Sequence, residues 1–318
     1  MNAAVLVEVS HLRVENANAV SGPLSWGFPP PTAFTGFTHA LARRLEDVTL
    51  GGVGIVCHRF DPQVYRNGAY TQAFRLARHP YYAGWKSFKN EAAAIIEEGR
   101  AHLEVTLLIE VMTELDEDGR RDLTERICSV LPAMRLAGGG IRNWGRIQAM
   151  SWPEWEEEQR KTFRSLRYRL LPGFALVQRD DLLAEHLADL RRDNPQTSPL
   201  EAFLDLLALH VEPVHGDGDD CQWGQTRPKP GWLAPLSVGF AALSPLYEPG
   251  EVRRTRDAVT PFCFVEGVTT IGQWISPHRL TRLEHMLWNP EADTDKGLYL
   301  CRNAYAQLHE EESYGDDE

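Results

Sequence analysis

The chain has few cysteines, and no pattern in it is typical of an enzyme or a metal site. Its five cysteines are scattered over 318 residues, form no CxxC pair and are odd in number. This usage excludes a disulfide scaffold or a zinc module and is typical of a cytoplasmic protein with free thiols. His58, His102, His210 and His278 lack metal-ligand spacing, and GxSxG, P-loop, HExxH and EF-hand patterns are absent. We therefore expect no active site, no metal ion and no cofactor.

Long hydrophobic runs are also absent. No apolar stretch approaches the roughly 20 residues that a membrane-spanning helix needs. The first residues, MNAAVLVEVSHL, lack a basic segment and are interrupted by Glu8, so they indicate a strand and not a signal peptide. With 43% hydrophobic residues, the composition is that of a soluble globular protein with one large or two modest domains. We expect a cytoplasmic protein with no membrane contact.

Basic residues are in the minority, and the formal net charge is −12. Taken alone, this charge argues against a nucleic-acid ligand. The acidic residues are concentrated at the C-terminus, however, because six of the 45 fall within the last nine positions. Residues 303–318 are therefore expected to form an acidic, disordered tail, and local charge must decide what the rest of the chain binds.

Hydrophobic periodicity predicts an α+β domain over residues 1–180. The predicted elements, in chain order, are the strand Ala4–Val14, the helix Ala33–Leu45, the strands Val53–Phe60 and His102–Val111, the helix Asp122–Arg135 and the strand Phe174–Gln178. The order β-α-β-β-α-β is that of a ferredoxin-like, or RRM-type, unit.

Residues 181–302 are expected to form a second region that packs on this domain. Helical spacing covers Asp181–Arg192 and Pro199–His210. Turn residues at short intervals over 229–280 indicate irregular β structure, and His278–Leu287 has the spacing of a late helix. The whole is a ferredoxin-like domain with a C-terminal helical and irregular β extension.

The approach to the first helix is rich in proline and aromatic residues. Each proline fixes its φ angle beforehand, so such a loop loses little entropy when it is held in one shape. Thr32 is a good N-cap for the helix that follows, and Ser21, Trp26 and Thr35 lie close to it in sequence. The pattern fits either an anion-binding helix N-terminus or merely a stiff connection.

A long insertion between the second and third strands, residues 59–94, is basic and aromatic. Residues 59–89 hold six Arg or Lys against one Asp, a balance of +5, and eight aromatic residues. Cations interleaved with flat rings suit a nucleic-acid backbone and unstacked bases, although a protein-docking hairpin with its own aromatic core is the other reading. The candidates for nucleic-acid contact are Arg75, Arg78, Trp85 and Lys86.

Gly138, Gly139 and Gly140 stand between Arg135 and Arg142. Glycines let a backbone approach a phosphate closely and the arginines supply charge, but a glycine run after a helix is also a common C-cap and turn. Both readings stay open at this point.

Two other basic clusters differ in their surroundings. Glu156–Arg160 and Glu157–Lys161 have the i,i+4 spacing of ion pairs on a solvated helix. Arg253, Arg254 and Arg256 follow a Pro-Gly turn in a predicted loop, where Glu251 and Asp257 offset them only in part. The second cluster is the better candidate for phosphate contact.

Eight stretches, in order along nearly the whole chain, resemble one known family. They are PPPTAFTGFTHAL (29–41), GGVGIVCHRF (51–60), IIEEGRAHLEVTLLI (95–109), MRLAGGGI (134–141), RLLPGFALVQRDDLL (169–183), KPGWLAPLSVGFAALSPLYEPGEVRRTRD (229–257), QWISPHRL (273–280) and DKGLY (295–299). The chain resembles the Cas five-type subunits of CRISPR surveillance complexes, and among them the second-subunit family of the type I-F Csy complex.

The resemblance implies a ferredoxin-like fold whose insertion 59–94 forms a thumb across guide RNA. It implies a non-catalytic RNA-binding subunit that holds the repeat-derived 5′ handle of the CRISPR guide RNA. The implied partners are the large subunit, as a heterodimer, the first copy of the backbone subunit, and target double-stranded DNA through the assembled complex.

Applied to this sequence, the resemblance assigns residues to the handle site. The candidates are Ser21, Trp26, Thr32, Thr35 and His39 around the first helix, Gly138, Gly139, Gly140 and Arg142 in the glycine loop, and Arg253, Arg254 and Arg256 in the late loop. Two alternatives stay open: a metal-independent endoribonuclease that processes repeat RNA with His39 as general base, and a pure protein scaffold.

Overall fold

The computed structural model describes residues 3–22, 25–66, 72–74, 76–78, 95–215 and 221–309. Its strands, in chain order, are β1 (Val5–Asn18), β2 (Val20–Gly22), β3 (Ser25–Trp26), β4 (Leu50–Pro62), β5 (Val64–Arg66), β6 (Gln72–Phe74), β7 (Leu76–Arg78), β8 (Ile95–Glu97), β9 (Arg100–Val111), β10 (Arg135–Leu136), β11 (Gly139–Asn143), β12 (Ile147–Ser151), β13 (Phe174–Gln178), β14 (His210–His215), β15 (Cys221–Thr226), β16 (Trp232–Ala242), β17 (Val265–Ile275), β18 (Leu287–Asp293) and β19 (Leu298–Asn303).

The α-helices described are α1 (Pro31–Leu45), α2 (Glu117–Val130), α3 (Glu156–Arg169), α4 (Asp180–Asp193) and α5 (Pro199–Leu207). Short 3₁₀ turns cover Leu131–Ala133, Pro277–Arg279 and Leu283–Met286. Within the described residues, no helix combines the length and the apolar content that crossing a bilayer requires.

Eleven of the described strands form one antiparallel sheet. Its order is β10, β11, β1, β9, β4, β13, β17, β16, β19, β18, and β12 pairs with the first half of β1 on the same edge as β11. Together with the helices on its faces, this sheet confirms a fold that mixes α and β structure. The strands predicted at Ala4–Val14, Val53–Phe60 and His102–Val111 are the cores of β1, β4 and β9, which lie side by side.

The strand beside β1 differs from the expectation. The predicted strand Phe174–Gln178 exists as β13, but it pairs with β4, on the side of the sheet away from β1. The position next to β1 belongs to β11 and β12, which the sequence analysis did not predict because each has only five residues and no clear alternation. The order across this part of the sheet is therefore β12, β1, β9, β4.

The second half of the chain is more regular than expected. Strands β16 and β17 have eleven residues each, where irregular β structure was predicted. The helix predicted at His278–Leu287 is also wrong, because two 3₁₀ turns and the start of β18 occupy that segment. Leu280, Leu283 and Met286 have helical spacing and are all buried, but Leu280 is the C-cap of one short turn and the other two belong to the next. Their burial, and not a helix, explains the pattern.

Pairings of β4 close a ring of six strands. Strand β4 hydrogen-bonds β13 at Val56–Cys57 and β18 at Val53–Gly54, and β13 continues through β17, β16 and β19 back to β18. The ring thus contains strands from both sides of residue 180. At the end of the last strand, Asn303 and Tyr305 are buried, while residues 310–318 lie outside the described part.

Helices cover the sheet unequally on its two faces. On one face α1 and α2 bury an apolar stripe that includes Phe34, Leu41 and Ile127. On the other face α3 buries Phe163 and Leu166 over the first part of β1 and the second half of β9. Helix α3 ends at Arg169, whose guanidinium lies 2.8 Å from Glu8 of β1. The ion pairs Glu156–Arg160 and Glu157–Lys161 on its outer side confirm the predicted solvated helix.

Leu41→Ala tests the packing of α1 against the sheet. Leu41 is fully buried, so its truncation should reduce the free energy of unfolding by about 2–5 kcal/mol through lost transfer energy and a cavity. Leu204→Ala on α5, 53% exposed, is the matched control and should stay within about 0.5 kcal/mol. Urea unfolding followed by tryptophan fluorescence measures both, and equal losses would contradict the packing described.

Candidate nucleic-acid interface

The three glycines form a β-hairpin and not a helix C-cap. Helix α2 ends at Val130, five residues before β10, and Leu136 pairs with Gly139 across the turn. The two residues between them, Ala137 and Gly138, have φ angles of 50° and 74°. Positive φ at both central positions is the signature of a type I′ hairpin turn, which matches the twist of the strands it joins.

Gly139 lets this hairpin lie directly against the backbone of β1. A Cβ atom there would come within 2.7 Å of the Glu15 carbonyl oxygen and 2.8 Å of the Ala17 nitrogen. The hairpin is held in place by the Asn18 N–H, which donates to the Ala137 carbonyl over 2.8 Å. At Gly140, by contrast, a Cβ would meet open space. The close approach predicted for the glycines is therefore to a strand of the same chain, at one position.

A cleft of about 730 Å³ opens beside the hairpin. Gly138, Gly140, Arg135 and Arg142 line it, as does Arg100 at the start of β9, which the sequence analysis missed. The carboxylates of two residues, Glu15 and Glu98, are also in the lining.

Arg135 and Arg142 each have one described partner, and Arg100 has two, because it also donates to the Asn16 carbonyl over 3.5 Å. Arg142 Nε donates to Glu15 over 2.8 Å, a guanidinium nitrogen of Arg100 lies 3.5 Å from Glu98, and Arg135 donates to the Gly138 carbonyl over 3.2 Å. A guanidinium carries five N–H donors, so each retains donors for a ligand. With three arginines and two glutamates, the cleft is positive in a chain that is strongly negative overall.

Beyond the end of α3, no helix among the described residues covers the second face of the sheet at β1, β9 and β4. A cleft of about 420 Å³ there shares Glu15 and Arg142 with the first one. Arg13 and Arg59 flank Glu104, which is their direct cross-strand neighbour on β9. Burial alone would raise the pKa of Glu104, but hydrogen bonding from His11 and the charge of Arg13 hold that pKa below its ordinary value. The carboxylate is therefore charged and orients the side chains around it.

The approach to α1 acts as a stiff connection. Helix α1 begins at Pro31 with Pro30 in the N-cap position and no side-chain cap, so the predicted N-cap at Thr32 is wrong. Phe28 stacks on Phe34 at 5.5 Å and meets the edge of Trp274 at 4.9 Å. These aromatic contacts, made possible by fixed proline geometry, hold the loop against the helix and β17.

Residues predicted around α1 divide into buried and accessible ones. Thr35 is buried, with its hydroxyl 3.2 Å from the Cys301 sulfur, and the Ser21 hydroxyl donates to the Phe28 carbonyl over 3.1 Å. Trp26 is 48% exposed, and His39 is exposed on the outer side of the helix. Ser21 and Thr32 are half-buried, so Thr35 is the only one of these five side chains that the structure encloses.

Arg253, Arg254 and Arg256 lie on a protruding loop between β16 and β17. Its stem is a backbone bridge between Tyr247 and Phe262, with hydrogen bonds of 2.8 and 3.0 Å. All three arginines are exposed, and among the described residues no carboxylate forms an ion pair with Arg253 or Arg254. Hydrogen bonds from the Thr260 side chain and from the backbone N–H groups of Val259 and Thr260 lower the pKa of Asp257 and hold the loop in shape.

Comparison with known proteins decides the family. Residues 7–301 match the CRISPR-associated protein (Cas_Csy2) family. The chain is also 45% identical over 312 residues to the CRISPR-associated protein Csy2 of Pseudomonas aeruginosa (strain UCBPP-PA14), and the match spans 92% of this chain and 94% of that one. The chain belongs to the Cas_Csy2 family. The family predicted from eight ordered stretches of sequence is thereby confirmed.

Other predicted residues cannot be placed. Arg75, Trp85, Lys86 and the side chain of Arg78 lie outside the described residues, so the thumb stays a prediction. In the described part of the chain, no group of three His, Cys, Asp or Glu side chains is arranged to hold a metal ion.

Gly139→Ala and Gly140→Ala test the docking of the hairpin. Alanine at position 139 would clash with the backbone of β1 and should reduce the free energy of unfolding by about 1–3 kcal/mol. Alanine at position 140 meets no atom and should leave it unchanged or slightly raised. Urea unfolding of both variants gives the comparison, and equal stability would show that the hairpin does not lie against β1.

Proposed function

We propose that this chain is a non-catalytic RNA-binding subunit of a type I-F CRISPR surveillance complex, and that it binds the repeat-derived 5′ handle of the guide RNA. The observation that carries the proposal is the positive cleft at the glycine hairpin, which brings Arg100, Arg135 and Arg142 together in an acidic chain. The relative's name, CRISPR-associated protein Csy2, supports the CRISPR part of the proposal.

A ferredoxin-like unit is the fold that we propose around this cleft. The strand order β12, β1, β9, β4, with α1 and α2 on one face, supports it. In this arrangement β12 takes the role first expected of residues 174–178. The division of the chain near residue 180, with a thumb at 59–94, remains part of the proposal.

In the proposed mechanism, base pairing by the guide supplies target specificity, and this chain supplies charge and shape. Arginine contacts to phosphates position an RNA strand without reading its sequence. A single-stranded handle also presents unstacked bases, which a protein surface can hold by stacking. The chain would therefore fix one end of the guide while the rest stays available for pairing.

The proposed protein partners are the large subunit, as a heterodimer, and the first copy of the backbone subunit, with target double-stranded DNA reached through the complex. An apolar groove of about 670 Å³ lies at the base of the loop between β16 and β17 and supports a protein partner. Leu243 and Leu246 line this groove and are 66% and 71% exposed. Contiguous apolar surface of this kind is typical of protein interfaces. A cytoplasmic location is part of the same proposal.

The double variant Arg135→Ala, Arg142→Ala should weaken RNA binding and its salt dependence. Each phosphate contact that is lost should reduce the slope of log K against log salt by about 0.7, as for single strands. The charge-matched control is Arg121→Ala with Lys161→Ala, two exposed cations on α2 and α3. Fluorescence anisotropy with labelled repeat-derived RNA at several salt concentrations measures both slopes.

A slope that falls equally in the control pair would mean that net charge, and not the cleft, determines binding. An unchanged slope in the cleft variant would remove the cleft from the RNA site. RNA that stays intact throughout, with or without His39→Ala, is the result expected for a non-catalytic subunit.

Arg253→Ala with Arg254→Ala should also weaken handle binding and flatten its salt dependence. Both side chains are exposed on a loop that is held by its own stem, so their removal should leave stability unchanged. The same anisotropy titration applies, with a thermal unfolding curve as the folding control. Wild-type affinity and slope in this variant would exclude the loop from the handle site.

A further inference from the structure

A stacked pair of histidines lies on the half of the sheet face that α3 does not cover. The ring centroids of His11 on β1 and His58 on β4 are 4.3 Å apart, with an angle of 26° between the rings. Strand β9 runs between β1 and β4, so the two side chains lean towards each other above Thr106. This pair is outside the residues that the sequence analysis selected.

Hydrogen bonds fix the lower ring of the stack. His58 Nδ1 lies 2.7 Å from the Pro172 carbonyl, which can only accept, so this nitrogen carries the proton. The other nitrogen, Nε2, lies 2.7 Å from the Thr106 hydroxyl and accepts from it. Burial lowers the pKa of His58, in agreement with a neutral ring in one tautomer. His58 is therefore a fixed, flat, uncharged support.

The upper ring is positioned by a β-bulge. The register of β1 against β9 shifts between Val9 and Leu12, and His11 has a φ of 48°, in the left-handed region. A bulge re-aims the side chain that it carries, and such strain is common where a side chain has a functional role. His11 Nδ1 lies 2.8 Å from Glu104, and the side chain is still 43% exposed. One ring face is stacked and one edge is bonded, and in the described part of the chain no ring contact covers the outer face.

Cations flank the stack on the same sheet face. Arg13 and Arg59 are 60% and 71% exposed, and each bonds one carboxylate, Glu104 or Asp61. The cleft that they line shares Glu15 and Arg142 with the cleft at the glycine hairpin. A strand held by the hairpin arginines can therefore continue over this surface without a gap.

We propose that the open face of His11 is a stacking platform for one unpaired nucleobase of bound RNA, with Arg13 and Arg59 beside the adjoining phosphates. The inference rests on the proposed RNA-binding function and adds to it a site that recognises bases. Flat rings with neighbouring cations are the arrangement that holds unstacked bases of single strands, whereas a duplex would present only its backbone to this surface.

The test compares a short single-stranded RNA with an oligomer of the same phosphodiester backbone in which every base is absent. The full-length chain should bind the RNA more tightly than the abasic oligomer. His11→Asn removes the ring but tolerates the left-handed backbone, and it should lose about tenfold in RNA affinity while binding the abasic oligomer as before. His278→Asn, at an exposed histidine in a 3₁₀ turn, is the matched control and should behave as the wild type.

Photocrosslinking keeps the test independent of any effect of the variant on folding. Wild-type chain irradiated with 5-iodouridine RNA should give a crosslinked peptide that contains His11, and crosslinks confined to other peptides would overturn the platform. Equal wild-type affinity for the RNA and the abasic oligomer would overturn the platform but leave the RNA-binding function standing. Failure to bind either oligomer would overturn both.

Discussion

The fold depends on β4, because this strand is hydrogen-bonded along both edges. One edge pairs with β9 along most of its length, while the other is divided between β18 and β13. Glycine makes this possible: a Cβ at Gly54 would lie 3.3 Å from side-chain atoms of both Leu108 and Met286, and one at Gly52 would lie 2.6 Å from the Asn289 amide oxygen. The sequence GGVGIV thus combines two needs, room for a crossing strand and branched side chains for the core. Without this close approach, β18 could not pair with β4, and the ring of six strands would stay open.

The partial cover by α3 divides this face of the sheet into an apolar part and a polar part. Where the helix lies on the sheet, the strands carry Leu6, Val56 and Leu108, and the ion pair of Arg169 with Glu8 marks the end of that cover. Beyond it the same strands carry charged and imidazole side chains. A net charge of −12 describes the average of the chain, whereas a strand of nucleic acid responds to the field within about 8–10 Å of it at ordinary salt. Arginines that line one cleft can therefore attract a phosphate backbone even though the protein as a whole is acidic.

Local patterns predicted local structure well. The strands predicted for β1, β4 and β9 and the helical spacing in α1, α2, α4 and α5 all correspond to elements of the structure, although the predicted helix Asp122–Arg135 runs five residues past the end of α2. The signal of the bulge was also present, since the apolar phase of Val5, Val7 and Val9 changes to Leu12 and Val14 across Ser10 and His11. Short strands such as β11 were not predicted, because they are strands through their pairing with β1 and not through their own composition.

The candidate site was predictable in part. Gly138, Gly140 and Arg142 could be selected because glycine and arginine are informative where they cluster in sequence. Arg100 could not, since it reaches the cleft only through the register of β9 against β1. Thr35 was a reasonable choice beside a helix start, but the helical turn directs its hydroxyl to Cys301 in the interior. His11 and His58 stand on β1 and β4, which are separated in the sheet by β9. Their contact could not be predicted from sequence spacing, because spacing does not show which strands lie next but one to each other.

The ring of six strands also determines the order in which the protein can be completed. As the chain leaves the ribosome, β4 gains its first neighbour when β9 is made, but its other edge stays open until β13 and then β18 arrive, more than a hundred and more than two hundred residues after β4 begins. Contacts so distant in sequence form slowly, and an open strand edge can pair with the wrong chain. The last strands therefore cover a strand edge that would otherwise promote aggregation. A chain truncated before Leu287 would leave the ribosome with that edge of β4 exposed.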